Sequence, residues 1–260
     1  MEGALLRLEL QTQVVQDELR KLRLLMMIQN QSDFIFKINN VRWRALNPKT
    51  PPILFFLPDA LTDFVQSQIV LEGNFFDYPT ISAADAFFNN GAHILDLGAN
   101  VGNNALYYAL VRQAKSVVAF EPLLDVFAIL QKNIALNHLE NVIAAHNVAL
   151  GEKNTQAEIM ERPPANLGGS CLKESHQGNI VVHHLDGMDF ANRIDFVKID
   201  VEGFESSVLK GGLRFFNTHK PVVQIESHPD KYADMQQMME SLNYQRIQQI
   251  GVADYIFAPI

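Results

Sequence analysis

The chain has 260 residues, of which 48% are hydrophobic, and its formal net charge is −8. This length and composition suit one α/β domain with an appendage and provide enough apolar material for a sizeable core. The acidic balance and the scattered Lys and Arg residues exclude the basic surface that a nucleic-acid-binding protein needs.

The cysteine content and the apolar runs bear on the compartment. Cys171 is the one cysteine of the chain, so it cannot form an intramolecular disulfide or seed a zinc site of the usual Cys/His spacing. No apolar run reaches 18 residues, and the N-terminus lacks the pattern of a signal peptide. We therefore expect a cytoplasmic protein in a reducing compartment, with no membrane span.

Residues 1–30 predict an amphipathic helix. Counting in alternate steps of three and four gives one seam, which consists of Leu5, Leu8, Thr12, Val15, Leu19, Leu22 and Met26. Thr12 is the one polar residue of this seam, as a coiled coil would tolerate. Two interpretations stay open, namely a coiled coil that forms a homo-oligomer and a helix that packs on its own domain.

Residues 31–90 predict a cap or substrate-shaping region. Its predicted elements are a hairpin of residues 34–38 and 41–45, a strand at Ile53–Pro58, and short helices at Asp63–Val70 and Ile81–Asn89. Asn39 and Asn40 join the two hairpin segments, and asparagine tolerates the positive φ of a tight turn. From its position, we expect this region to cap the catalytic domain.

Residues 91–260 alternate between strand and helix patterns. The predicted strands are His93–Gly98, Ser116–Pro122, Val142–Leu150, Asp195–Val201, Pro221–Ser227 and Asp254–Ile260. The predicted helices are Val101–Val111, Leu124–Asn137, Phe204–Leu209 and Tyr232–Leu242. This alternation is typical of a doubly wound, mostly parallel sheet. The irregular segment Glu161–Gly178 is a candidate lid or substrate loop.

A glycine-containing turn follows the first of these strands, in the sequence LDLGANVG. Ligands of open parallel sheets bind beyond the carboxyl ends of the strands. A dinucleotide pyrophosphate needs three glycines, and this turn has only Gly98 and Gly102; the chain also lacks a Tyr-x-x-x-Lys pair, which argues against a nicotinamide-dependent oxidoreductase. The turn better suits an adenosine linked to methionine, which carries no phosphate.

Two further polar residues end strands in this half of the chain. Glu121 lies 23 residues after Gly98, close to the offset at which a carboxylate binds the hydroxyl groups of a ribose. Asn147 ends the segment NVIAAHN in the next strand, where its amide side chain is expected to pair with the edge of an adenine.

These elements resemble the FkbM family of S-adenosylmethionine-dependent methyltransferases. The matching segments are LDLGANVG, VVAFEP, LLDVFAILQKNIALN, NVIAAHNVALG, the GGS of 168–170 and FVKIDVEGFESSVLKGG. The resemblance implies a class I (Rossmann-like) seven-stranded fold and O-methylation of a hydroxyl on a sugar or natural product. It also implies S-adenosylmethionine contacts at Asp96, Gly98, Asn100, Gly102 and Glu121. Family members often carry aromatic residues after the turn, where this chain has Asn103 and Asn104.

The ends of two later strands carry the candidates for catalysis. Strand alternation predicts that Asp200 and Glu202 share one face of the sheet rim. Glu226 and His228 end the next strand, and histidine titrates near neutral pH. A sugar hydroxyl is a poor nucleophile until a base accepts its proton. We expect Asp200, Glu202 and His228 to be catalytic. The weaker alternative is a divalent metal ion held by these three residues together with Glu226.

The sequence thus predicts an S-adenosylmethionine-dependent O-methyltransferase that acts on a sugar-containing or secondary-metabolite hydroxyl. The alternative is a non-catalytic methyltransferase-like scaffold, assembled through the N-terminal coiled coil.

Overall fold

The computed structural model describes residues 15–16, 18–28, 34–38 and 52–260. The α-helices are α1 (residues 18–28, with 15 and 16 also helical), α2 (Phe64–Glu72), α3 (Tyr78–Ala83), α4 (Asn103–Leu110), α5 (Leu124–Leu136), α6 (Glu205–Lys210), α7 (Leu213–His219) and α8 (Tyr232–Ser241). Short 3₁₀ helices cover Ala84–Phe87, Leu167–Gly169 and Leu185–Gly187. No helix in these ranges is both long and apolar enough to cross a membrane.

The strands build three sheets. They are β1 (Ile35–Ile38), β2 (Ile53–Phe56), β3 (His93–Leu97), β4 (Ser116–Phe120), β5 (Ile143–His146), β6 (Ala149–Leu150), β7 (Thr155–Glu161), β8 (Cys171–Glu174), β9 (Ile180–His183), β10 (Phe196–Ile199), β11 (Val222–Glu226), β12 (Tyr244–Ile250) and β13 (Asp254–Pro259). The central sheet has seven strands in the order β12-β13-β11-β10-β3-β4-β5.

This central sheet confirms the predicted class I fold. The strands β5, β4, β3, β10 and β11 pair in parallel, and β13 runs antiparallel to both β11 and β12. From β3 the chain first fills the sheet toward β5 and then returns to β10 on the other side of β3. The strand order therefore reverses between β3 and β10, where open α/β sheets bind their ligands.

Helices cover both faces of the sheet. Tyr107 and Tyr108 of α4 and Leu130 of α5 belong to the core on one face. Val208 of α6 and Phe216 of α7 belong to the core on the other. The first core extends without a break into the N-terminal region, through buried residues such as Phe55 and Phe75. The cap region is therefore packed against the sheet domain as part of one core.

The first ribbon differs from the predicted hairpin. β1 pairs antiparallel with β2, from Ile35 opposite Phe56 to Ile38 opposite Ile53; the predicted partner segment 41–45 and the turn at Asn39 and Asn40 lie outside the described residues. The outer edge of β2 is closed by two asparagines, Asn133 of α5 and Asn137, the residue that follows this helix. Asn137 Oδ1 accepts from the Leu54 N–H at 3.0 Å, and Asn133 Oδ1 accepts from the Phe56 N–H at 2.5 Å.

Two predictions for the middle of the chain need correction. The expected strand Val142–Leu150 is divided, because β5 pairs with β4 in the central sheet whereas β6 pairs with β9 in a second sheet of order β6-β9-β7-β8. The expected irregular segment Glu161–Gly178 contains β8, which pairs antiparallel with β7. Only residues 162–170 between these two strands form a loop, which we call the lid loop.

The N-terminal helix packs on its own domain, but not through the predicted seam. Leu24 is 2% exposed and joins the core, and the Arg20 guanidinium lies 5.4 Å from the centre of the Phe64 ring. The seam residues Leu19 and Leu22 are 50% and 54% exposed. Leu5, Leu8 and Thr12 of the predicted seam lie outside the described residues. The described part of the seam therefore faces away from the core.

Candidate active site

A cleft lies over the point where the strand order reverses. Its β4 side consists of Glu121, Pro122, Leu123, Val148, Ala149 and Leu150. Its β11 side consists of Lys198, Asp200, Val201, Glu202, Gln224, Glu226 and Asp254. The turn Gly98–Asn100 lies between the two sides, and residues of the cap region and of the lid loop complete the walls.

The two glycines of the turn are needed for packing. A Cβ at Gly98 would overlap the carbonyl oxygen of Asp200, and the φ of Gly98 is +83°. A Cβ at Gly102 would lie 2.8 Å from a methyl carbon of Leu130, and Gly102 is not among the cleft-lining residues. The turn therefore needs Gly98 to let β3 approach the segment after β10, and Gly102 to let α4 pack on α5.

Glu121 is buried at the end of β4 and holds the turn. Its Oε2 accepts from the Asn100 N–H at 3.0 Å and its Oε1 accepts from the Leu123 N–H at 2.8 Å. Burial raises the pKa of Glu121 to about 7, against the lowering effect of these two N–H donors. Each oxygen retains a lone pair for a further donor.

Asn147 supports Glu121 from outside the cleft. Its Nδ2 donates to the carbonyl oxygens of Glu121 and Pro122 at 2.9 and 3.0 Å, and it is not among the cleft-lining residues. The amide therefore fixes the backbone that carries Glu121, which is a different task from the predicted contact with an adenine.

A row of polar side chains crosses the sheet below the cleft. Lys198 is opposite Asp96 of β3 and opposite Gln224 of β11, so the three side chains share one face. Asp96 is fully buried, and neither of its carboxylate oxygens has a close hydrogen-bond partner within the described chain, although the Ala105 N–H is near enough to lower its pKa. Burial raises the pKa of Asp96 to about 6, against the lowering effect of Lys198. Asp96 thus carries unused acceptor capacity directly beneath the turn, although it is not among the residues that line the cleft.

Asp200 and Lys198 form an ion pair in this row. The Lys198 Nζ lies 2.6 Å from Asp200 Oδ2. Burial alone would lower the pKa of Lys198, but the charges of Asp200 and Asp96 outweigh it and hold that pKa above its usual value. The lysine is therefore a permanent cation, and Asp200 is its counter-ion.

Glu202 does not follow the predicted strand alternation. β10 ends at Ile199, and Glu202 lies in a turn with a φ of +48°. It lines the cleft all the same. Burial first, and then the charge of Asp200, raise the pKa of its carboxyl.

Glu226 and His228 have different surroundings. Glu226 is the last residue of β11 and lines the cleft. His228 is exposed, and it is not among the cleft-lining residues. Asp254, at the start of β13, is opposite Glu226 and accepts from Gln224 Nε2 at 2.8 Å. The structure therefore brings Asp200, Glu202 and Glu226 to one cleft and leaves His228 at its outside.

The cap region contributes an aromatic wall. Phe64 and Phe76 line the cleft, and their rings meet edge to face with centroids 5.7 Å apart. Asn103 fixes this wall, because its Oδ1 accepts from the Phe76 N–H at 2.8 Å and its Nδ2 donates to the Phe76 carbonyl at 3.0 Å. The aromatic residues that the sequence lacks after the turn are thus supplied by the cap region.

The lid loop closes against the turn. A Cβ at Gly168 would overlap the amide of Asn100, and one at Gly169 would lie 2.6 Å from the Asn166 amide. Asn100 is in the left-handed region with a φ of +50°, which asparagine tolerates better than most residues. Glycine at 168 is therefore what lets the loop cover Asn100.

Sequence reasoning missed Lys198, Gln224 and Asp254. Lys198 and Gln224 each interrupt an otherwise apolar central strand, FVKI and VVQIE. A charged or amide side chain in such a strand is costly to bury unless it has a partner. The interruption of these two apolar strands therefore indicates polar residues with specific partners. Asp254 gave no such signal, because it begins the last strand. The described part of the chain contains no group of three or more His, Cys, Asp or Glu residues arranged to hold a metal ion.

A match to a protein-family model shows which family the chain belongs to. A model described as the methyltransferase FkbM domain matches residues 96–246, which is more than half of the chain. The chain belongs to the FkbM methyltransferase family. The match begins at Asp96 and spans the glycine turn, Glu121, the lid loop and the β11 side of the cleft except Asp254. The predicted family is therefore confirmed.

Similar proteins cover parts of this FkbM chain. Methyltransferase 1 of Beauveria bassiana (strain ARSEF 2860) is 26% identical over 151 residues, which are 48% of this chain and 59% of that protein. The solved methyltransferase FkbM from Methylobacillus flagellatus KT has a TM-score of 0.50 and 22% identity, over 66% of this chain and 44% of that one. TrmK of M. capricolum, solved with S-adenosyl-homocysteine, has a TM-score of 0.43 and 13% identity, over 71% of this chain and 68% of that one. The chain therefore spans less than two thirds of the first two proteins.

Proposed function

We propose that the protein transfers the methyl group of S-adenosylmethionine to a hydroxyl group of a sugar-containing or secondary-metabolite acceptor. The observation that carries the proposal is the division of the cleft at the reversal of strand order. Its β4 side offers one buried carboxylate among apolar residues, and its β11 side offers several carboxylates around one lysine.

The β4 side fits the adenosine of the donor. Glu121 has lone pairs left for two ribose hydroxyls after its two backbone bonds. Leu123, Val148 and Leu150 provide an apolar surface beside it. Asp96, whose carboxylate is fully buried beneath the turn, suits the cationic amino acid part of the donor through its charge and through a bridging water molecule. When bound, S-adenosylmethionine supplies a methyl group that is activated by attachment to a positively charged sulfur.

The β11 side favours a neutral polar acceptor. Among the described residues, the charged ones that line the cleft are Asp77, Glu121, Asp200, Glu202, Glu226 and Asp254, with Lys198 as the one cation among them. Lys198 is already paired with Asp200. An acceptor that carries phosphate would therefore meet mostly like charges along this lining. Hydroxyl groups can donate to these carboxylates, and the rings of Phe64 and Phe76 offer a surface for the C–H face of a sugar.

A binding measurement followed by an acceptor screen tests this function. Calorimetry should give saturable binding of S-adenosyl-homocysteine and none of NADH. Incubation with methyl-labelled S-adenosylmethionine and a panel of neutral glycosides, phosphorylated sugars and tRNA should transfer label to a neutral glycoside. Transfer only to a phosphorylated acceptor would contradict the hydroxyl acceptor proposed here. If the protein binds neither S-adenosylmethionine nor S-adenosyl-homocysteine, the result would favour the alternative of a non-catalytic methyltransferase-like scaffold.

A further inference from the structure

The carboxylates on the β11 side of the cleft are not equivalent. Asp200 is paired with Lys198 at 2.6 Å, and Asp254 accepts from Gln224 at 2.8 Å. The Glu226 side chain lines the cleft and forms no hydrogen bond or ion pair with the described residues. Glu226 and Glu202 are therefore the two carboxylates on this side that are available to a bound molecule.

The two other candidates at this rim are less well placed. Glu202 lies in the left-handed turn after β10, and its Oε1 faces the lid loop, 3.6 Å from where a Cβ of Gly169 would be. His228 is two residues beyond the end of β11 and does not line the cleft. Glu226 instead is paired with Asp254 of β13, and the preceding Ile225 is paired with Ile199 of β10, which fixes the backbone of Glu226 next to Asp200.

We propose that Glu226 is the catalytic residue that accepts the proton of the acceptor hydroxyl. This inference rests on the function proposed above. In the step, the hydroxyl oxygen forms a bond to the methyl carbon with one of its electron pairs. The bond between that carbon and sulfur breaks, and sulfur keeps the electron pair. The O–H bond breaks, its electron pair remains on oxygen, and the proton passes to a Glu226 carboxylate oxygen.

The charges around Glu226 suit it to hold a proton. The charge of Asp200 first, and partial burial second, raise its pKa above the usual value of a glutamate; Asp254 and Glu202 act in the same direction, and Lys198 opposes them. The residue is exposed at the end of β11, so its carboxyl can also reach a bound molecule. A carboxylate of raised pKa is a stronger proton acceptor than an ordinary one. Glu226 must be ionised to accept the proton, so the rate should rise with pH through the raised pKa of this carboxyl.

Substitution of Glu226 by glutamine tests the inference. Glu226→Gln should lower kcat about 100-fold to 10,000-fold on the neutral glycoside that reacts best in the acceptor screen. It should remove the rise of rate with pH, and leave the dissociation constant of S-adenosyl-homocysteine within about twofold of its original value. Glu226→Asp keeps a carboxylate and should recover part of kcat. Glu240→Gln, on the exposed face of α8, is the matched control and should behave as the original protein.

A measurement without turnover complements the kinetics. A carboxyl ¹³C NMR titration of the protein without donor should show a glutamate of raised pKa, besides Glu121, that is missing from Glu226→Gln. Unchanged kcat and pH profile in Glu226→Gln, with donor transfer intact, would overturn the role of Glu226 and leave the methyltransferase function standing. A Glu226 whose pKa is not raised above that of an ordinary glutamate would overturn it as well. No transfer to any glycoside by the original protein would overturn both.

Discussion

Asp63 and Leu167 are 104 residues apart in the chain, yet Asp63 Oδ2 accepts a hydrogen bond from the Leu167 N–H at 2.9 Å. The other oxygen of Asp63 accepts from the Gln66 N–H at 2.9 Å and so caps α2. The Phe64 N–H donates to the Ala165 carbonyl at 2.7 Å beside them. One buried carboxylate therefore joins the cap region to the lid loop.

Substitutions of Asp63 separate these two tasks. Asp63→Ala should lower the free energy of unfolding by about 1 kcal/mol through the lost helix cap and release the lid loop. Asp63→Ser keeps a cap for α2 but is too short to reach Leu167, so it should retain most of that stability while the loop is still released. Hydrogen exchange of residues 165–170 should be faster in both variants. Exchange in Asp63→Ser equal to that of the original protein would refute the link.

Glu121 should control the affinity for the donor product. Glu121→Ala should weaken S-adenosyl-homocysteine by about 1.5 to 3 kcal/mol, the range for hydrogen bonds to a charged group. Because the pKa of Glu121 is about 7 in the free protein and its ionised form is the better acceptor, affinity should fall about tenfold from pH 8 to pH 6. Calorimetry at both values checks this, with the exposed Glu140→Ala as control. Equal affinity at the two pH values in the original protein would argue against the ribose contact.

Two glycines with nearly the same φ provide a matched test of the turn. Gly98 has a φ of +83° and its Cβ would overlap the Asp200 carbonyl, whereas Gly91 has a φ of +82° and open space around it. Gly91→Ala should cost about 1 to 2 kcal/mol for the backbone conformation alone. Gly98→Ala adds the overlap between β3 and the segment after β10, so it should cost more than about 4 kcal/mol. Urea unfolding measures the free energy of unfolding of both variants. Equal losses would mean that the turn shifts to make room for a Cβ at residue 98 at no additional cost.

Lys198 should be necessary for the stability of the sheet. Lys198→Met leaves Asp200 and the buried Asp96 without their cation, and breaking such a pair costs about 3 kcal/mol. Because part of the Asp200 side chain is exposed to the cleft, we expect a smaller loss of unfolding free energy than for a fully buried pair. The exposed Lys210→Met should leave stability unchanged. A Lys198→Met protein as stable as the original at pH 8 would show that the carboxylates do not depend on this lysine.

The N-terminal helix offers a test of self-association. We expect the exposed seam to meet a second copy of the chain, so Leu19→Glu with Leu22→Glu should give a smaller species in light scattering without loss of unfolding free energy. Leu24→Ala, on the opposite, buried side, should cost about 2 kcal/mol and leave the mass unchanged. Donor affinity should survive in both variants. A monomeric original protein would refute the coiled coil.

The central sheet could be predicted because its strands are buried on both faces and therefore appear as apolar runs. The same reasoning located Glu121 and Asp200, since parallel strands place their carboxyl ends at one edge. β12 was missed because it is an edge strand in which most side chains from Gln245 to Gln249 are exposed. Its sequence lacks apolar alternation, and its pairing with β13 defines it.

The finer arrangement of the site depends on contacts between distant parts of the chain. Asn103 reaches Phe76, 27 residues earlier, and no local pattern predicts which backbone an asparagine will bind. Gly98 and Gly102 are predicted to contact the donor, and neighbouring protein atoms are a second reason for a glycine at each position. A sequence shows that a side chain is absent from a position, but not which atoms need the space.

The asparagines that close the edge of β2 have a consequence for synthesis of the chain. Asn133 and Asn137 follow their partners Phe56 and Leu54 by 77 and 83 residues. On the ribosome, the apolar ribbon of β1 and β2 is thus made long before the helix that covers it. Until α5 emerges, the open edge can pair with a strand of another nascent chain. Fragments that stop before residue 133 should therefore aggregate, whereas fragments that include α5 can protect the ribbon.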